Sequence, residues 1–334
     1  MPSHATHAIF ARKAVASAAG PVDPSPWLDL GAQGPDPFFH GVRRQPSGEL
    51  WGHRIHGEGY GRLAAAMADR IRRSDEHRSE HLDYLRGFVG HAVLDRAVHP
   101  WVNYFSGWEG AAVPTSGSLK FCHPFLERLI DMVMLRDILG SGIREFAFST
   151  RIPDVAEQNR VLPGLLASAI RTAYPDAGAD DELEVRIRNA LEDDMDFLRL
   201  LDISGPGERQ WARDAESRGE LPERALALFY PDEIPPVDVM NEDGAGWVDP
   251  RRGGEKRRDS FMDLFWTALK PAAALTAMVD DIVLGSGSPG DLEGALGNGD
   301  LTDGSRGTDG TKLLYCDPLP LSSIIDGMYA AVSG

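Results

Sequence analysis

The chain has 334 residues, 42% of them hydrophobic, and a formal net charge of -17 from 34 basic and 51 acidic side chains. That length buries one large core, or a core with a smaller lobe packed on it. The negative balance disfavours long nucleic acid as a partner, because a grip on the phosphate backbone needs a basic surface. Cys122 and Cys316 are the only cysteines, which implies no disulfide framework and no thiolate site. No apolar run reaches the length of a membrane span, so no stable membrane insertion is expected. The N-terminus shows no basic segment leading into a long apolar one, and a cytoplasmic enzyme is the expectation.

Residues 4 to 19, with Ile9, Phe10, Val15 and several alanines, predict a first helix ended by Gly20 and Pro21. Residues 21 to 52 are rich in Pro and Gly without a stable period. They read as a long ordered loop, of a length that implies it lines something. Leu63, Met67 and Ile71 recur at intervals of four and predict a helix around 55 to 74, with another from about 78 to 103. Two more follow over 121 to 139 and 157 to 174, the second stopped by Pro175. From Asp180 to Leu201, the stripe Leu183, Ile187, Leu191, Met195 and Leu198 marks a long amphipathic helix. The stretch 204 to 258 mixes turns, short helices and the basic patch RRGGEKRR from Arg251 to Arg258, read as solvated surface. Phe261 to Leu284 is the last long apolar helix. Residues 285 to 311, rich in Gly, Asp and Ser, read as a flexible excursion before a short helix near 321 to 332. The fold class is all-α: one helical domain over 1 to 285, variable at about 204 to 258, and an excursion with a closing helix over 286 to 334.

All 10 histidines lie at or before His123, which concentrates any chemistry in the first part of the chain. In GHAVLDRAVH, from Gly90 to His99, residues four apart share a helix face at about 6 Å. His91, Asp95 and His99 therefore aim along one face, and His123 with Glu127 repeats the device on a second helix. Upstream stand His4 and His7, Asp36 in the QGPD run from Gln33, and the HxxH pair His53 and His56. Imidazoles with carboxylates suit zinc, and also iron or manganese. Ionisable groups on apolar helix faces cost too much without such compensation. His53 reads equally as a residue that orients a ligand carboxylate. His40, His77 and His81 read as surface or packing residues, and Asp131 and Asp137 as helix-surface charge. The aromatic run WVNYFSGW, from Trp101 to Trp108, is the best pocket wall, against core packing as the plain alternative.

Five motifs in order, THAIF from Thr6, QGPD from Gln33, GHRIH from Gly52, GHAVLD from Gly90 with His99 and Pro100, and HPFLE from His123, carry a resemblance. Together they resemble the bacterial zinc-dependent phospholipase C family, which shares a helical fold and a three-zinc centre with the single-strand-specific fungal nucleases. The resemblance covers residues 1 to 140 and extends to the helix starting near Ser260. It implies a multi-helix fold with a metal cluster between core helices, holding up to three Zn2+ ions. By the same likeness, Asp36, His56, His91 and Asp95 would hold one ion, with Asp95 bridging to a second that His7 completes. His99, His123 and Glu127 would hold the third, and Asp36 would orient or deprotonate the attacking water. One departure stands out: the secreted phospholipases begin at a tryptophan whose amino group and carbonyl bind zinc, whereas this chain begins MPSH. Pro2, bared by removal of Met1, or His4 is the available replacement.

Two adjacent divalent ions can generate a nucleophile from water and neutralise the leaving oxygen, so no serine or cysteine nucleophile is required. No G-x-S-x-G elbow, P-loop or dinucleotide fingerprint is present. The leading expectation is a zinc-dependent phosphoester hydrolase acting on a small or lipid-like molecule. The alternative is an enzyme of specialised metabolism using the same cluster as a Lewis acid, or with iron as a redox centre, on a non-phosphate substrate. A third reading, a metal-stabilised structural or binding protein, predicts ions fully closed off by side chains.

Overall fold

A computed structural model describes residues 4–20, 23, 25–109, 111, 117–203, 205–301 and 313–332. In chain order its helices begin with α1 (His4–Ala19), α2 (Pro26–Gly31), α3 (Pro37–His40), α4 (Glu49–Gly57), α5 (Tyr60–Arg72) and α6 (Arg78–Ser106). They continue with α7 (Cys122–Met134), α8 (Ile143–Phe146), α9 (Val155–Ala173), α10 (Leu183–Asp202) and α11 (Pro206–Ser217). After the strands β1 (Trp247–Asp249) and β2 (Gly253–Arg257) come α12 (Phe261–Val283), α13 (Pro289–Leu296) and α14 (Leu321–Val332). The fold is a multi-helix assembly, with one antiparallel hairpin, β1 against β2, as its only sheet among the described residues.

Helix α6 is the axis of the molecule. It is buried along most of its length from Tyr84 to Ser106, and α1, α2, α5, α7 and α12 pack around it. Glycines let α2 approach at backbone contact distance. A Cβ on Gly31 would lie 2.0 Å from the Tyr84 carbonyl oxygen, and one on Gly87 would lie 2.3 Å from that of Leu28. No residue with a side chain fits either place.

The N-terminus of α1 is held from a distance. Its first turn leaves backbone N–H groups without helical partners, and Asp131 of α7 accepts from Ala5 N at 3.2 Å, Thr6 N at 2.7 Å and Thr6 Oγ1 at 2.7 Å. Tyr230 Oη donates to the same carboxylate at 2.9 Å. Asp131 is thus fully buried, contrary to its reading as a surface charge. The sequence offset places it on the core side of α7, and the positive end of the α1 dipole supplies the compensation. Asp137 does lie outside, paired with Arg136 at 2.5 Å.

Three other expectations are corrected. The stretch 21 to 52 contains α2, α3 and the start of α4 rather than a continuous loop, each too short for a periodic signal. The basic patch is corrected at Arg251 alone, which is buried, whereas Arg252, Lys256, Arg257 and Arg258 are exposed, as a solvated surface requires, on or beside β2. Within 285 to 311, α13 forms, and Leu292, Leu296 and Leu301 join the main core; residues 302 to 312 lie outside the described residues. No helix among the described residues is long and apolar enough to cross a membrane.

Replacing Asp131 with Ala strands four donors in the interior, a loss expected to cost about 3 kcal/mol or more. Urea denaturation should show a lower midpoint with an unchanged slope; an unchanged midpoint would remove Asp131 as the anchor of α1.

Candidate metal centre

The four-residue ladder on α6 does what its spacing promises. His91, Asp95 and His99 face α1 and α7, and α1 contributes His7, the loop before α3 Asp36, α4 His56, and α7 His123 and Glu127. Their donor atoms form three groups, each within 4.8 Å: His7, His91 and Asp95; Asp36, His56 and His91; His99, His123 and Glu127. Because His91 belongs to two groups and Asp95 Oδ1 lies 3.4 Å from His99 Nε2, the three form one continuous line. Seven of the eight side chains are buried, and His123 is partly exposed, with a fifth of its side chain accessible (21%). The centre therefore reaches solvent through His123.

Ring orientation is set from behind. His91 Nδ1 lies 3.0 Å from the Ala32 carbonyl and His99 Nδ1 2.6 Å from that of Leu301, and a carbonyl can only accept. His123 Nδ1 is 3.0 Å from Asn103 Oδ1. Each Nδ1 therefore carries a proton, and each Nε2 turns toward the carboxylates. This is the outer-shell arrangement that fixes metal-binding imidazoles. Gly34 permits the approach over His91: its φ is +57°, and a Cβ there would lie 2.4 Å from His91 Cδ2.

The contacts at the front are short but unaligned. His91 Nε2 is 3.0 Å from Asp95 Oδ2 and His7 Nε2 is 3.2 Å from Asp95 Oδ1. Yet both oxygens of Asp95, Asp36 Oδ2 and His91 Nε2 have no hydrogen-bond partner among the described residues. Asp36 Oδ1 is engaged with His56 Nε2 at 2.8 Å. Buried lone pairs left without hydrogens, at mutual distances of ligand atoms, fit a cation between them. The donor set, nitrogen and carboxylate oxygen without sulfur, fits zinc, iron or manganese.

Electrostatics follow from the same crowding. Burial opposes charge on His99, but the Asp95 and Glu127 carboxylates outweigh it and raise its pKa to about 9. Burial likewise opposes charge on His91, which Asp95 and Asp36 nevertheless raise. At His123 burial prevails over Glu127 and the pKa falls. Burial would raise Asp36, Asp95 and Glu127, but the facing imidazoles hold all three below the usual carboxylate range.

Other sequence candidates fall elsewhere. His53 is exposed, 3.8 Å from Glu49 Oε1 and edge-on to Phe39, away from the three groups. His4 is buried, but Arg128 Nη1 lies 3.0 Å from its Nδ1. Since a guanidinium only donates, Nδ1 accepts and Nε2 carries the proton, which leaves His4 no lone pair for a metal. His4 sits instead among Phe148, Phe197 and His40. Pro2 lies outside the described residues. His40 is a packing residue, bonded through Nδ1 to Asp194 at 2.6 Å. Trp101 and Phe105 are core residues, with Trp101 edge-on to Phe261, so the run from Trp101 to Trp108 leaves Tyr104 and Trp108 as its half-buried members. Asn103 escaped the sequence reading although it continues the series His91, Asp95, His99 by four more residues.

No protein-family model, curated protein or solved structure matches this chain. The all-helical fold brings together three clusters of His, Asp and Glu side chains whose donor atoms are suited to hold a metal ion.

Two measurements test the centre. Asn103→Ala should weaken zinc binding about 10- to 100-fold while leaving the fold intact, read by chelator competition; unchanged affinity would deny Asn103 its orienting role. In the metal-free protein, the charged His99 stabilises the fold fully below about pH 6.5, and this contribution is lost as the pH rises through about 9. A cation at Nε2 must displace that proton. Zinc binding near pH 7.5 should therefore release protons, seen by calorimetry in buffers of different ionisation enthalpy, and identical heats in all buffers would contradict it.

Proposed function

We propose that this protein is a divalent-metal-dependent hydrolase of phosphoesters, with zinc as its resident ion and a small or lipid-like molecule as its substrate. The carrying observation is the continuous line of donors from His56 to His123, oriented from behind and open to solvent at one end. Asp36, His56, His91 and Asp95 would hold one ion, Asp95 would bridge to a second that His7 completes, and His99, His123 and Glu127 would hold a third. When bound, adjacent divalent cations make a nucleophile of water at neutral pH and neutralise charge on a phosphoryl group. The order of motifs shared with zinc-dependent phospholipases C supports the same reading.

The chain's own residues supply position and proton transfer. Asp36 is ionised at neutral pH, because His91 and His56 outweigh its burial. Its two oxygens would divide the work, one holding the ion with His56 and His91 and the other accepting the proton of the attacking water. His123 stands at the solvent-facing end, the side from which a substrate would reach the ions. The partial opening also argues against a purely structural centre, whose ions would be closed off on all sides.

A second reading keeps the cluster but runs different chemistry, since the same nitrogen and oxygen donors suit iron. Elemental mass spectrometry on protein purified without added metal or chelator separates the two. About three zinc ions per chain, followed by turnover in a phosphodiester and phosphomonoester screen, supports the proposal. Iron, or fewer than two ions, overturns it in favour of redox or non-phosphate chemistry. Asp36→Asn should lower turnover about a hundredfold or more; full metal content with undiminished turnover would sink its role as base. His91→Ala should lose metal and melt at lower temperature, because the ligands also join helices.

A further inference from the structure

The candidate ligands do not stand on equal footings. Six of the eight sit on α1, α6 and α7, helices of 13 to 29 residues. Asp36 stands just before α3, a helix of four residues. One turn of helix has no stability of its own, so the direction of Asp36 is set by whatever grips the segment after it. That grip comes from α10.

His40 ends α3 one turn after Asp36, and its Nδ1 is held by Asp194 Oδ1 at 2.6 Å. Asp193 Oδ2 accepts from the backbone N–H groups of Arg43 and Arg44 at 2.9 and 3.0 Å, and Asp193 Oδ1 accepts from Arg44 Nη1. The Arg44 guanidinium also meets Glu192 at 2.9 Å and Asp196 at 3.0 Å, but it is Asp193 that reaches the backbone. Farther back along α10, Asn189 Nδ2 donates to the Pro46 carbonyl at 3.0 Å and Arg186 Nη1 to that of Ser47 at 2.9 Å. These positions recur at about one turn, so residues 40 to 47 lie as a strap antiparallel along one face of α10. The strap leads from α3 to α4, the helix of His56. Asp36 and His56 belong with His91 to one group of donors, and the strap therefore sets the spacing of two of its three members.

We infer that Asp193 is a positioning residue for the Asp36, His56 and His91 site, acting through residues 40 to 47, and that His99, His123 and Glu127 hold their ion independently of it. Its carboxylate is fully buried and bonded to three N–H donors. Bonds of this charged kind are about twice as strong as neutral ones. The inference rests on the reading of the cluster as a metal centre and not on phosphoester hydrolysis.

Zinc titration of the full chain by chelator competition tests it. Asp193→Ala should weaken the ion at Asp36 about 10- to 100-fold, and the amides of residues 41 to 48 should exchange with deuterium about tenfold faster. Asp193→Asn, equal in size and keeping one acceptor oxygen, should lose less, and it carries the test if the alanine variant does not fold. Two backgrounds locate the effect. With His123→Ala, which breaks the third group, the loss caused by either Asp193 variant should persist. With Asp36→Ala, which leaves nothing to position, it should vanish. Unchanged affinity in both Asp193 variants overturns the inference, and so does an equal loss in both backgrounds, which would mark a general weakening of the fold. A wild-type chain that takes up no zinc would instead remove the metal reading, and the inference with it.

Discussion

Burying Asp36, Asp95 and Glu127 takes three carboxylates out of water, and each such transfer costs several kcal/mol even after the protein relaxes. Positive charge must stand among them, and the chain provides it as five imidazoles whose Nε2 atoms are turned inward or whose rings face the acids. Protons can serve that purpose, which is why the carboxylates raise His91 and His99. Divalent cations serve it better, because one ion satisfies several lone pairs at once where a proton satisfies two. The centre is a network in which every member depends on the same compensation, and removing any one partner leaves an exposed cost in the interior.

The rest of the architecture keeps that network in register. Backbone carbonyls of Ala32 and Leu301 reach His91 and His99 only because α2 and the segment after α13 lie directly against α6. Gly31 and Gly87 remove the side chains that would hold α2 away, and Gly34 removes the one that would strike His91. At the other end, Asp131 pulls the start of α1 against α7 and thereby sets His7 opposite Asp95. Glycines, a capping carboxylate and two carbonyls, none of them a ligand, thus decide where the ligands stand.

Much of this was legible from residue spacing. A repeat of four on an apolar helix means one face, and the structure brings together all eight side chains that motif order and helical spacing singled out. The helices at 60 to 72 and 183 to 202 are marked by apolar stripes, Leu63, Met67 and Ile71 in the first and Leu183, Ile187, Leu191, Met195 and Leu198 in the second, and the first helix by its stop at Gly20 and Pro21. Short elements were not legible. Helices of four to six residues such as α2 and α3 lack a full period, and the hairpin after Trp247 is hidden by Arg and Gly residues that carry no alternating pattern. Asp131 and Asp137 look alike in sequence, yet one is fully buried and the other exposed, because a helix face acquires its meaning from its neighbour.

The amino-acid sequence by itself determined that this is a helical protein with a histidine- and acid-rich centre on α6 and α7, since periodicity and residue chemistry are local properties. Tertiary structure decided which histidines belong to that centre. His4 and His7 share one helix, but Arg128 from α7 takes the lone pair of the first, while Asp95 from α6 faces the second. His53 and His56 share another, and rotation about α4 leaves one at the surface and turns the other onto Asp36. Such choices depend on what packs against each face, and residues far apart in the chain supply it.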